Sequence, residues 1–330
     1  MYDIIIVGGS AAGLTSALYT SRQGMNTLVI TKDIGGQMLL TNEIQNYPGF
    51  HSISGFELAT KLKEQAESYG ANFVYDEVTG LEEDKDCPGM CFKVKTLQDT
   101  FNTLSVILAF GKTPMDLGVP GEQELKGRGV SYCAVCDGPL FRGKVVSVVG
   151  SGEQALDAVN YLSSVAKSIY FIHNYDRPIG SEEMVQQILS LPNVERVPNS
   201  RVKELIGDTK LRKVVTQNTK DHSLTEIESD AIFIEIGYIA KTDLLRGLVE
   251  LNDKGEVKVD KECKTSHHGI FAAGDVTDIA FKQAVISAAE GAVAALSAYN
   301  YVQRIKGKTA IRNDWRSIQP KKKSDNLLKI

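Results

Sequence analysis

Apolar runs that end in glycine occur twice in this chain with the same design. Residues Asp3–Val7 form a buried-type strand, followed by Gly8-Gly9-Ser10-Ala11-Ala12-Gly13 and an Ala/Leu-rich segment with helical character to about Arg22. Val145–Val149 repeats the strand, Gly150-Ser151-Gly152-Glu153-Gln154-Ala155 the turn, and a helix runs to about Ser163. Each unit continues into a second strand, Thr27–Ile30 and Ser168–Ile172. This is the dinucleotide-binding βαβ pattern, present twice. Glycines permit the tight turn and close backbone approach, and the helix N-terminus that follows attracts a pyrophosphate. Ser10 stands where the first turn would have its middle glycine.

Between the two units, Phe73–Ala109 has β character and ends in Val106-Ile107-Leu108-Ala109-Phe110-Gly111, with a connector at Lys112-Thr113-Pro114. Ala231–Gly237 is another apolar strand reaching a glycine. After it come Gly269–Asp275 and an amphipathic helix over about Lys282–Ile305. Residues Lys306–Ile330 lack periodicity and read as an extended tail. The pattern specifies an α/β protein with two Rossmann-like dinucleotide-binding domains, and 330 residues is ample for two cores. No apolar stretch approaches the ~20 residues of a membrane helix. No basic leader precedes the first strand, so a cytoplasmic location is the default expectation.

Charge sharpens the picture at one end. Gln303–Ile330 carries nine Lys/Arg and two acids, a net +7 on a chain whose total is −4. Five cysteines are too few for a disulfide scaffold. Two form Cys133-Ala134-Val135-Cys136, which reads as redox chemistry or metal. Half a zinc site would need a second ligand pair. Cys87 and Cys91 offer one, but their place in the β-rich stretch argues against a shared site, and no metal is expected. Those two are read as incidental thiols of a surface turn. A C-x-x-C pair closes a small ring when its second cysteine starts a helix, which lowers one thiol pKa and supplies the attacking thiolate. Asp137 follows directly, where a carboxyl group can pass a proton to or from the leaving thiolate.

Taken in order, Gly8–Gly13, Gly35-Gly36-Gln37, Asn46-Tyr47-Pro48-Gly49, Pro120-Gly121-Glu122, Cys133–Gly138 and Gly274-Asp275 resemble the low-molecular-weight thioredoxin reductase family from Tyr2 to about Ile305. The resemblance implies a flavin domain built from 1–112 and 243–305, with a second nucleotide-type domain inserted at 113–242 and a basic tail at 306–330. It implies one FAD per chain, its pyrophosphate facing Gly8, Ser10, Ala11, Ala12 and Gly13. Gly36, Gln37 and Asn46 would line the flavin, and Gly274-Asp275 would hold the ribityl chain. Lys282-Gln283-Ala284 stands where the family usually has Arg-Gln-Ala near the isoalloxazine, keeping the charge but not the planar fork. The implied cycle passes electrons from flavin to the Cys133–Cys136 disulfide and on to thioredoxin or a similar small dithiol protein. A homodimer is implied by the family alone. Nothing points to nucleic acid or membrane as a partner.

One part departs from the family. The strand after the second turn normally ends in arginines that clamp the NADPH 2′-phosphate, a bidentate contact not easily replaced. Here those positions are Asn174, Tyr175 and Ile179, with Arg177 out of register. No acid takes the NAD-ribose position unless Asp176 reaches back. The sequence thus keeps a phosphate cradle at Gly150, Gly152, Glu153 and Gln154 and discards the NADPH selector. Weak or absent NADPH activity is expected, with reduced ferredoxin or flavodoxin as donor. Tyr175 is a candidate to stack on an aromatic ring, and some relatives hold a second flavin in this domain. Trp315, the single tryptophan, is a candidate to cover the isoalloxazine from the basic tail. Competing readings are a nicotinamide-dependent thioredoxin reductase with unusual recognition, a ferredoxin–NADP reductase on the same scaffold, and a flavin/thiol sensor without turnover. The second of these is disfavoured by the C-x-x-C pair and the missing arginines.

Overall fold

In the computed structural model, residues 1–40, 43–84, 87, 91–310 and 318–320 are described. The chain divides into two compact units, Met1–Lys112 with Ala240–Ile330, and Thr113–Ile239. Trp315 and most of the basic tail lie outside the described residues. Among the described residues, no helix is long and apolar enough to cross a membrane.

The first unit contains β1 (Tyr2–Val7), α1 (Ala11–Arg22), β2 (Thr27–Thr31), α2 (Gly55–Ser68), β3 (Asn72–Tyr75), β4 (Val78–Asp84), β5 (Cys91–Thr96) and β6 (Thr100–Leu108). It closes with β17 (Ile270–Ala272) and α7 (Ala284–Ile305). The sheet order is β3-β2-β1-β6-β5-β4, and β17 pairs with β6. Strand β1 is parallel to both β2 and β6, so it is covered on both faces, which is why it reads as continuous apolar sequence. Ile4 and Ile6 pack with Ala12, Ala17, Ala294 and Ala298. Ile5 and Val7 point the other way, into Leu245, Val257 and Val276. Small residues let α7 approach α1: a Cβ on Gly291 would sit 2.2 Å from the Ala12 carbonyl oxygen.

The second unit runs β7 (Thr113–Pro114), α3 (Glu122–Leu125), β8 (Val130–Ser131), α4 (Ala134–Asp137), β9 (Val145–Val149), α5 (Glu153–Ser163), β10 (Ser168–Ile172), α6 (Glu182–Leu189) and β11 (Val194–Val197). It continues with β12 (Ser200–Gly207), β13 (Leu211–Asn218), β14 (Leu224–Glu228), β15 (Ala231–Ile234) and β16 (Tyr238–Ile239). A parallel sheet of order β11-β10-β9-β15-β8 carries α5 against Val146 and Val148. The antiparallel β12-β13-β14 layer covers its other face through Val202, Leu205 and Val214. Entry and exit strands pair antiparallel, Thr113 with Ile239 and Pro114 with Tyr238.

Cys87 and Cys91 depart from the sequence reading. They are joined as a disulfide with Cα atoms 6.0 Å apart. Cys91 opens β5 and is buried in the α1/α7 core layer, with the partly buried Cys87 packed against that layer, so the two are a bonded pair rather than incidental thiols. Cys263 is the free cysteine, and burial pushes its thiol up to about 12.

Candidate functional site

In the first unit, the glycines of the first turn differ in what they must do. A Cβ on Gly8 would lie 2.3 Å from the Ala109 carbonyl oxygen, and one on Gly13 would lie 1.9 Å from the Gly8 oxygen. Ser10 is the N-cap of α1 at φ −108°, an ordinary conformation, and its hydroxyl turns aside to donate to the Gly35 carbonyl at 2.6 Å. Glycine is therefore needed at both ends of the turn and not in its middle. The first N–H groups of α1 have no carbonyl one turn back and remain available to an anion.

An open cleft begins at this turn. It is lined by Ser10, Ala11, Ala12, Gly36, Gln37, Asn46, Lys112, Gly274, Asp275, Lys282, Gln283 and Ala284, among others. The sequence-selected positions therefore converge, although they span 274 residues of chain. Their side chains are cross-linked. Gln37 Nε2 donates to Asp275 Oδ2 at 3.3 Å, Ser287 donates to Asp275 Oδ1 at 3.2 Å, and Asn46 Nδ2 donates to Gln283 Oε1 at 3.0 Å. A cleft walled by the crowded glycine turn and by the Asp275 carboxylate fits FAD.

Lys282 lines the cleft, but its ammonium is engaged. It donates to the Thr277 carbonyl at 2.6 Å and lies 3.5 Å from Glu256 Oε1. Lys112 Nζ donates to the same oxygen at 2.6 Å. Burial alone would raise the Glu256 pKa. Hydrogen bonds from Lys112 and Asn252, with the charges of both lysines, outweigh burial and hold it at about 2. The sequence reading missed Lys112 and Glu256, because neither sits in a glycine turn or a periodic segment.

In the second unit, Cys133 and Cys136 form a disulfide with Cα atoms 5.3 Å apart. Helix α4 starts at Ala134, so Cys133 is its N-cap and Cys136 lies in its first turn, donating its backbone N–H to Cys133 Sγ at 3.0 Å. Ser131 accepts the Cys133 N–H at 3.1 Å and donates to Asp137 Oδ2 at 2.6 Å. Glu235, directly after β15, is half buried, and burial pushes its carboxyl up to about 7. Ser131 and Glu235 were not singled out from sequence, although Ser131 stands only two residues before the pair.

The second glycine turn also forms. A Cβ on Gly150 would come within 2.2 Å of the Glu235 carbonyl oxygen, while Gly152 has open space around it as N-cap of α5. Glu153 and Gln154 open that helix. The segment after β10 is tied down by its own neighbours. The Asp176 carboxylate accepts from Lys220 Nζ at 2.7 Å and Asn199 Nδ2 at 2.8 Å, and so does not reach back toward the turn as an NAD-type acid. Arg177 pairs with Glu182 at 3.0 Å. Ser151 accepts the N–H of Asn174 on its hydroxyl and that of Ile179 on its carbonyl. Tyr175 is half exposed.

Two parallel-sheet units with glycine turns, one bearing a closed C-x-x-C ring, define a dinucleotide-type disulfide oxidoreductase. The pyridine nucleotide-disulphide oxidoreductase family matches residues 2–295. The chain is 39% identical to the thioredoxin reductase of Treponema pallidum over 306 residues, 92% of this chain and 98% of that one. It resembles the solved thioredoxin reductase of Lactococcus lactis with a TM-score of 0.81 at 37% identity, covering 92% and 100% of the two chains. A ferredoxin-flavin thioredoxin reductase from Clostridium acetobutylicum gives a TM-score of 0.50 at 31% identity, covering 93% and 99%. The chain belongs to the pyridine nucleotide-disulphide oxidoreductases, in the low-molecular-weight thioredoxin reductase class. It is a thioredoxin-reductase-like flavoprotein enzyme.

Proposed function

We propose that this enzyme reduces a disulfide of thioredoxin or a similar small protein through the Cys133–Cys136 pair, with electrons from a donor other than NADPH. Bound FAD supplies two-electron transfer to the disulfide. Gly8, Gly13 and the first turn of α1 hold its pyrophosphate, Asp275 its ribityl hydroxyls, and Gly36, Gln37, Asn46, Lys282, Gln283 and Ala284 line its flavin end. Ser131 orients Asp137, which passes the proton to and from the leaving thiolate.

The observation that carries the donor reading is the end of β10. Asn174, Tyr175 and Ile179 replace the phosphate-clamping arginines, Asp176 is bound to Lys220 and Asn199, and Arg177 is bound to Glu182. The similarity to a structure named as a ferredoxin-flavin thioredoxin reductase supports this reading. Reduced ferredoxin or flavodoxin is the donor class this favours, and a second flavin near Tyr175 is the corresponding occupant of the second cradle. The family also supports a homodimer. The decisive experiment extracts the native cofactors, quantifies flavin per chain, and titrates the oxidised protein with NADPH, NADH and reduced ferredoxin. Efficient thioredoxin reduction by reduced ferredoxin alone supports the proposal; turnover with NADPH at micromolar KM rejects it.

The intact Gly150–Glu153 turn favours one other reading, a nicotinamide-dependent reductase that recognises its cofactor without the arginine clamp. The same titration separates the two.

A further inference from the structure

Two lysines on the cleft of the first unit share one buried carboxylate. Lys112 and Lys282 line the cleft, and Asp275 is the other charged side chain on its described wall. Glu256, only 6% exposed, places Oε1 2.6 Å from Lys112 Nζ and 3.5 Å from Lys282 Nζ. Its Oε2 accepts from Asn252 Nδ2 at 2.7 Å, so both oxygens are engaged. Lys282 is held a second time by the Thr277 carbonyl. The chain at Lys112 is fixed by Gln37, whose Nε2 donates to the Lys112 carbonyl at 3.3 Å. Two ammonium groups and one carboxylate leave one unit of positive charge. Both lysine side chains are mostly buried, so water screens that charge only in part.

We propose that the Lys112–Glu256–Lys282 cluster sets the reduction potential of the bound flavin, with Glu256 as the positioning residue that anchors both ammonium groups and offsets one of their charges. The inference rests on the placement of FAD given under the proposed function, and is independent of the electron donor. A flavin that takes up two electrons and one proton gains one negative charge on its ring system. Charge held near the ring tunes that step. A net positive charge at the flavin end of the cleft favours the reduced cofactor and raises its midpoint potential. Asp275 opposes this, but its oxygens are turned to Gln37 and Ser287. Burial would raise the Glu256 pKa, yet hydrogen bonds from Lys112 and Asn252 hold it at about 2, so the offset is present at every working pH.

The test measures the midpoint potential of the FAD-loaded full-length protein by anaerobic dithionite titration against a reference dye. Lys112→Met removes one positive charge and leaves Lys282 as partner of Glu256. Glu256→Gln keeps an acceptor for the lysines and removes the offset. The two should shift the potential in opposite directions, the methionine variant down and the glutamine variant up. Each shift should be at least about tenfold in the equilibrium with the dye, or ~30 mV for a two-electron couple. Lys112→Arg, which keeps the charge, should stay near wild type. Disturbed packing alone would not reverse sign between the two ends of one ion pair. The proposal is overturned if either charge-removing variant keeps the wild-type potential, or if both move the same way. Should Glu256→Gln fail to fold, Lys282→Met replaces it and must lower the potential as Lys112→Met does; an unshifted value overturns the proposal. Flavin per chain is measured first. A chain that takes up no FAD refutes the placement of the cofactor, whereas a loaded chain with unshifted potentials refutes the tuning alone.

Discussion

The hydroxyl of Ser131 lies 2.6 Å from Asp137 Oδ2 and accepts the backbone N–H of Cys133 at 3.1 Å. One side chain thus fixes both the Asp137 carboxyl and the first cysteine. Ser131→Ala should lower thioredoxin-reducing turnover about tenfold, worth ~1.4 kcal/mol. Asp137→Asn should cost more, about 10²–10⁴-fold for a general acid. Ser131→Thr should restore most of the loss. Equal rates for Ser131→Ala and wild type at every pH would show that Asp137 needs no anchor.

Gly13→Ala forces a methyl group against the Gly8 oxygen, 1.9 Å away in the native backbone. The turn must open, at a cost of about 1–3 kcal/mol for overpacking. The variant is expected to purify with little flavin, measured as visible absorbance per chain. Ser10→Gly, at a position with ordinary φ, should retain flavin. A fully loaded Gly13→Ala protein would contradict the proposed place of the pyrophosphate.

Glu256 gives a pH-dependent stability with a definite sign. Its carboxyl is held at about 2 in the folded chain against an ordinary 4.5, through Lys112, Asn252 and Lys282 overcoming burial. A depressed folded pKa contributes stability above the unfolded value that is lost as pH falls through the folded one. Wild type should therefore exceed Glu256→Gln by about 1–3 kcal/mol at pH 7 in chemical denaturation. The gap should shrink between pH 4.5 and pH 2. A gap of equal size at pH 7 and pH 3 would mean that packing, not charge, explains it.

Restoring arginine at the end of β10 should restore affinity for the phosphate. The triple variant Asn174→Arg, Tyr175→Arg, Ile179→Arg is expected to bind 2′,5′-ADP at least about tenfold more tightly, or ~1.4 kcal/mol. Calorimetric titration measures it. Unchanged affinity would indicate that the segment tied to Ser151, and not the missing charge, bars the nucleotide.

Unreduced, denatured protein should take up one alkylating group per chain, at Cys263, because the other four cysteines are paired. In the folded state that thiol should react slowly, since burial holds its pKa high. Three labelled thiols, with Cys87 and Cys91 among them by peptide mass, would refute the Cys87–Cys91 bond.

Much of this was readable in advance, for a physical reason. Ala11–Arg22 and Val145–Val149 are local patterns, set by glycine turns and by strands buried on both faces, and they carry their signal in adjacent letters. Gly36, Asn46 and Asp275 were found through ordered motifs. Lys112 and Glu256 were not, because their partners lie far along the chain and no spacing rule links them. The Cys87–Cys91 bond was not legible for the same reason: long-range packing against α1 and α7, which no local spacing reports, decides the burial of Cys91.

The ribbon of β7 and β16 has a consequence for how such enzymes diversify. Because Thr113 pairs with Ile239, the insert leaves and rejoins its host chain at neighbouring residues, so the second unit behaves as a cassette. Within it, the end of β10 and the Cys133–Cys136 ring sit on separate strands and loops. On the proposed donor reading, substitution at the former alters which reductant is accepted without disturbing the latter. A lineage can thereby exchange its fuel while keeping its product.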